Sequence, residues 1–132
     1  MSLQDEINKQ KQFNNATTQQ KRIAHQNEIK DTQKMIPAIA EYAKNMAVSM
    51  AAREETFASQ IHREFFSRRW YMDCDIRIRS DEHIVWYYSL CRCPEVYGDL
   101  IREIESKGLK NVKIGKNEYY PAIVINAQID LR

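Results

Sequence analysis

Trp70-Tyr71-Met72-Asp73-Cys74-Asp75-Ile76-Arg77-Ile78-Arg79 is the stretch on which the fold turns. Its even positions carry Trp, Met, Cys, Ile and Ile, and its odd positions Tyr, Asp, Asp, Arg and Arg. Successive side chains of a strand point to opposite faces, so this alternation predicts a strand with one buried and one solvated face. Ser80-Asp81-Glu82-His83 then reads as a hairpin turn. Ile84 to Cys93, apolar on both faces, reads as a second strand lying inside the sheet.

Further along, Cys93-Pro94-Glu95 has the marks of a helix start, with proline at the first helical position and an acid in the first turn. Tyr97, Leu100, Ile101 and Ile104 form its stripe, and Gly108 suits the position after its C-terminus. A short strand around Val112-Lys113-Ile114, a turn at Gly115-Lys116-Asn117 and a last strand from about Glu118 to Ile129 complete the chain. Tyr119, Ile123, Ile125 and Ile129 would share one face of that strand, with Pro121 at an edge or a bulge because it has no N–H to donate.

Upstream of Trp70 the period is different. Ile36, Ile39, Ala43, Met46 and Met50 follow three- and four-residue steps, and Phe57, Ile61 and Phe65 continue at four. An amphipathic helix over residues 33–69 is expected, started by Asp31 or Thr32, with Pro37 in its first turns. If that helix instead ran back into the preceding residues, Pro37 should kink it. Residues 1–32 form a polar arm, helical or disordered, with Leu3, Ile7, Phe13, Ile23 and Ile29 too sparse for a continuous stripe. The predicted class is therefore α+β: an arm, a long helix, and a small β-β-α-β-β head with an antiparallel sheet over residues 70–132.

The long helix has more apolar stripe than the head can cover. At 1.5 Å per residue it is about 54 Å long, against a radius of gyration near 11 Å for a head of this size. Ile36, Ile39, Ala43, Met46, Met50 and Phe57 are thus the expected oligomerisation residues, in a homo-oligomeric bundle or coiled coil. A hairpin with the chain's own arm or docking of a different protein's helix are the alternatives.

The 132 residues carry 20 Lys+Arg against 18 Asp+Glu, a net charge of +2, so neither an acidic DNA mimic nor a heavily basic nucleic-acid coat is expected. No apolar run approaches the roughly 18 residues that span a bilayer, and no signal-peptide pattern opens the sequence. The expectation is a cytoplasmic protein with reduced thiols and no membrane contact.

Catalytic patterns are thin. There is no Walker loop, G-x-G-x-x-G or G-x-S-x-G sequence. Asp73 and Asp75 share a strand face as in half of a metal-nuclease site, yet Arg77 and Arg79 follow where further carboxylates and a lysine would be needed. His25, His62 and His83 have no adjacent nucleophile or helical Glu-x-x-His partner. Cys91-Arg92-Cys93 is too tight for a zinc knuckle, and Cys74 with His83 would have to complete it, so no metal and no cofactor are expected. An enzyme is improbable. What stands out is the interleaving of aromatics with Arg68, Arg69, Tyr71, Arg77 and Arg79, the expected binding surface. The leading expectation is a protein-interaction or assembly protein; the alternative is a nucleic-acid-binding module that stacks bases on that same face.

Overall fold

The computed structural model describes residues 2–61, 71–117 and 119–130, giving the backbone alone for residues 54–61. Its first element, α1 (Leu3–Ile61), is a single helix of 59 residues, about 88 Å long at 1.5 Å per residue. Ser2 caps it: the Asp5 N–H donates to Ser2 Oγ at 3.3 Å, and Asp5 and Glu6 place negative charge at the positive end of the helix dipole. The expected boundary at residue 32 is absent, and helix runs unbroken through the arm and through Pro37. Thr17, Thr18 and Thr32 fit into it by donating their hydroxyls to the carbonyls of Phe13, Asn14 and Glu28. Such bonds satisfy a polar side chain inside a helix, and Thr32 is buried without an unpaired oxygen.

Strand β1 (Tyr71–Arg79) is the predicted one, with odd positions exposed and even positions buried along its whole length. The second strand is a correction. Residues Ile84–Arg92 form a helix, α2, reached through a turn in which the His83 N–H donates to the Arg79 carbonyl at 2.8 Å. Its inner side carries Tyr87 and Leu90, three apart, while Ile84, Val85 and Tyr88 stay exposed. Pro94 cannot continue it. A short 3-10 turn (Pro94–Val96) leads into α3 (Tyr97–Ser106), which buries Leu100 and Ile104 and ends at Gly108 with φ +105°, as its sequence required.

Strands β2 (Lys110–Asn117) and β3 (Ala122–Asp130) follow. The sheet has three strands in the order β1-β3-β2, with both pairs antiparallel, so the β-β-α-β-β order is replaced by β-α-α-β-β after α1. Pro121 lies just before β3, and its carbonyl accepts the Ser80 N–H at 3.0 Å. Tyr119 is not on the buried face; it is 91% exposed in the connection ahead of β3. A bulge between Lys110 and Lys113 accommodates Asn111, whose φ is +52°, and its side-chain amide donates to Gln128 Oε1 at 2.7 Å.

The three helices cover one face of the sheet. Met72, Cys74, Ile76 and Ile78 face Ile129, Ala127, Ile125 and Ile123 across the β1–β3 pair and form the sheet side of the core. Ile36, Ile39, Ala40, Ala43 and Ala47 supply the helix side, spaced by three and four residues along α1. Alanines at three of these five positions let α1 pack close. Among the described residues no helix packs on the opposite face of the sheet.

Candidate binding surfaces

The open face is set by the pleat. Because Met72 to Ile78 alternate inward, Tyr71, Asp73, Asp75, Arg77 and Arg79 must point outward, and all five are exposed. Their cross-strand partners decide what each can do. Asp75 Oδ1 accepts a 2.5 Å hydrogen bond from Asn126 Nδ2 on β3, which makes it part of a strand-to-strand link. Neither Asp73 nor Asp75 belongs to a group of three metal-ligating side chains among the described residues. Among the described residues, then, nothing completes the half-nuclease pattern.

Arg77 and Arg79 lie at one end of this face. Together with Ser80, Asp81, Tyr120 and Pro121 they line a cleft of about 410 Å³. Among the described residues neither guanidinium is paired with a carboxylate, although Asp81 sits on the same wall. Two exposed arginines and an aromatic residue lining one cleft can hold an anionic group and stack a planar one. Tyr71 is placed at the far end of β1, where the Lys110 ammonium lies 6.0 Å from its ring centre and also 3.6 Å from Asp130. The structure therefore brings Arg77 and Arg79 together and separates them from Tyr71. Arg68, Arg69 and His62 lie outside the described residues.

His83 is engaged in packing. It stacks on Trp86 at 4.6 Å between ring centres, and Tyr42 of α1 meets both rings edge-on at 4.7 and 5.7 Å. This cluster fastens the start of α2 to α1. Burial, and then the Glu82 carboxylate, push the Tyr42 phenol above its ordinary pKa, while the Arg79 guanidinium pulls the other way. The cysteines are free thiols: Cys74 and Cys93 buried, Cys91 half-buried. Cys74 donates to the Ala127 carbonyl at 3.4 Å, and the combination of Cys74, Cys91, Cys93 and His83 does not converge.

The expected oligomerisation stripe has a different neighbour. Ile36, Ile39 and Ala43 are buried against the head of their own chain, and Met46 and Met50 are half-buried beside it. These residues are covered because α2, α3 and the sheet share one broad apolar surface that fits a helix of this width. The Phe57 side chain lies outside the described residues. What α1 leaves bare is its N-terminal part, where Leu3, Ile7, Phe13 and Ile23 are exposed. A second apolar patch, Ile84, Val85 and Tyr88 on α2, escaped the sequence because those residues were assigned to an interior strand. Their i, i+1, i+4 spacing was the available signal for one helix face.

No protein-family model, curated protein or solved structure matches this chain. Among the described residues no helix is long and apolar enough to cross a membrane.

Proposed function

We propose that the chain is a binding and assembly protein, not an enzyme, which presents its head on a helix that pairs with a second copy. The observation that carries this is the arm. From Leu3 to Ala24 α1 is helical, about 33 Å long, and exposed at nearly every position, with Phe13 66% exposed. Beyond it, His25 is linked to Glu95 of the head at 3.3 Å and Gln33 to Asp99 at 3.4 Å. Helicity in water comes mostly from packing an apolar face, and Asn14-Asn15-Ala16-Thr17-Thr18 has little intrinsic preference for helix. A partner along the arm would supply what the sequence lacks.

The charge order of the arm selects a second copy in antiparallel alignment. A two-fold axis at Phe13 sets residue numbers that sum to about 26 at the same height. Leu3 and Asp5 of one copy are then level with Ile23 and Lys21 of the other, and the two Phe13 rings meet on the axis. Free thiols at Cys74, Cys91 and Cys93 suit a reducing compartment such as the cytoplasm. Light scattering on the full chain should give twice 15.7 kDa. Phe13→Asp should return it to monomer, and reversing Asp5 and Glu6 should weaken the dimer until Lys21 and Arg22 are reversed as well. A monomeric wild type, or a mass indifferent to Phe13→Asp, would end this proposal.

The cleft of Arg77, Arg79 and Tyr120 favours one second reading, a nucleic-acid contact through two phosphates and a stacked base. It is compatible with assembly, since pairing two heads would double such contacts.

A further inference from the structure

We infer that His25, Glu28 and Cys93 form a binding site for a divalent transition metal of the zinc type. One ligand atom from each lies within 4.8 Å of the others. They come from two places: His25 and Glu28 sit one turn apart on α1, and Cys93 caps the C-terminus of α2, where its N–H donates to the Ser89 carbonyl at 3.0 Å. The Cys93 side chain is fully buried, beneath the two exposed polar groups. A buried thiol close to a more exposed imidazole and carboxylate is the borderline-soft mixture that zinc takes in preference to calcium or magnesium.

The distances fit that use. Zinc bonds of about 2.0–2.1 Å to nitrogen and oxygen put two tetrahedral ligands about 3.3–3.4 Å apart. His25 Nδ1 and Glu28 Oε2 are already 3.6 Å apart. The other ring nitrogen, Nε2, lies 3.3 Å from Glu95 Oε1. A carboxylate holding the far N–H of a ligating histidine fixes its tautomer and turns the opposite nitrogen toward the metal. Glu95 is therefore a positioning residue, and the fourth metal position falls to water. Binding converts the Cys93 thiol to thiolate and releases one proton to solvent, with no change of oxidation state. Cys-x-Cys spacing could not show this site, because its other two ligands are about 65 residues away.

Metal there would tie the arm to the head at the point where α1 leaves it. The test uses the full chain with cobalt(II) alone as an optical probe and zinc(II) by calorimetry. One equivalent of cobalt should produce an intense thiolate-to-metal band in the near ultraviolet and the strong visible bands of a four-coordinate ion. Zinc should bind one-to-one and displace it. His25→Ala, at a partly exposed position, should weaken zinc by at least tenfold, and Glu95→Gln by about tenfold. Cys93→Ala should remove the near-ultraviolet band. A wild-type cobalt spectrum without that band, or zinc affinity unchanged in His25→Ala, overturns the site.

Discussion

Replacing Ile39 by alanine distinguishes a helix that belongs to the core from one that serves only assembly. Ile39 is 0% exposed and lies among Ile36, Ala40 and Ala43, all buried under the head. The substitution removes three carbon groups, worth about 0.8 kcal/mol each in transfer, or roughly 2.4 kcal/mol. A cavity term adds to this, because the neighbouring alanines have no side-chain length with which to fill the hole. A total of about 3–4 kcal/mol is expected, within the range for buried isoleucine-to-alanine changes. Against a usual stability of about 5–15 kcal/mol this is a large loss, and for a chain of this size it lowers Tm by roughly 10 °C.

The assay is urea unfolding followed by circular dichroism at several protein concentrations, with Phe13→Ala as the comparison. Ile39→Ala should shift the midpoint equally at every concentration, because its contacts are within one chain. Phe13→Ala should act only where the dimer is populated, and should cost less than about 0.5 kcal/mol in the monomer, as exposed substitutions do. A cost below about 1 kcal/mol for Ile39→Ala, or a cost that grows with concentration, would refute the placement of this stripe against the head.

Two further outcomes are expected. Above about pH 9 the protein should lose stability: Cys74 is pushed above its ordinary pKa chiefly by burial, with Asp75 and Asp73 adding, and Tyr42 and Tyr97 are raised chiefly by burial. Groups raised in the folded state hold their protons longer there than in the unfolded chain, so their contribution is complete below the unfolded pKa and is lost as pH climbs through the folded one. Urea midpoints should fall between neutral and alkaline pH, and a constant or rising midpoint would contradict the burial of these side chains. If the open sheet face binds single-stranded nucleic acid, Arg77→Ala with Arg79→Ala should reduce the salt slope of binding by about two, and Tyr120→Ala should cost about 1–3 kcal/mol through lost stacking. Absence of binding by the wild type at low salt removes that reading.

How much of this fold could be read beforehand depends on how much of each pattern is local. The alternation of Tyr71 to Arg79 is a property of one strand, so β1, its buried set and its open face were all visible, while Trp70 lies outside the described residues. Gly108 was visible for a similar reason, since a helix end needs a positive φ that one residue type supplies without strain. Ile84 to Arg92 failed because both candidate periods describe it. Nine residues with apolar side chains on every side satisfy an interior strand and a short helix equally, and only docking on α1 chooses Tyr87 and Leu90 as the inner pair. The preference of Ile84 and Val85 for strands is overridden by that docking. Loss of this strand also moved β3 to the centre of the sheet, between β1 and β2.

The stripe on α1 was legible as apolar but not as covered, and that difference bears directly on function. A stripe at three- and four-residue steps says that something packs there; it does not say whether the surface comes from the same chain or another. Along α1 the two demands separate by side-chain size. Where the head docks, Ala40, Ala43 and Ala47 keep the helix close to a wide surface. In the arm the apolar residues are large, Leu3, Ile7, Phe13 and Ile23, and lie four to ten apart among polar ones. Such spacing cannot build a continuous core: ten residues fall about 80° short of three helical turns, so Leu3 and Ile23 lie on opposite flanks of Phe13, and in an antiparallel pair Phe13 alone meets its copy on the axis. Contacts so few would give an assembly weak enough to respond to concentration. Anything that stiffened the arm at His25 and Glu28 would strengthen it, by lowering the entropy still to be lost when two arms meet.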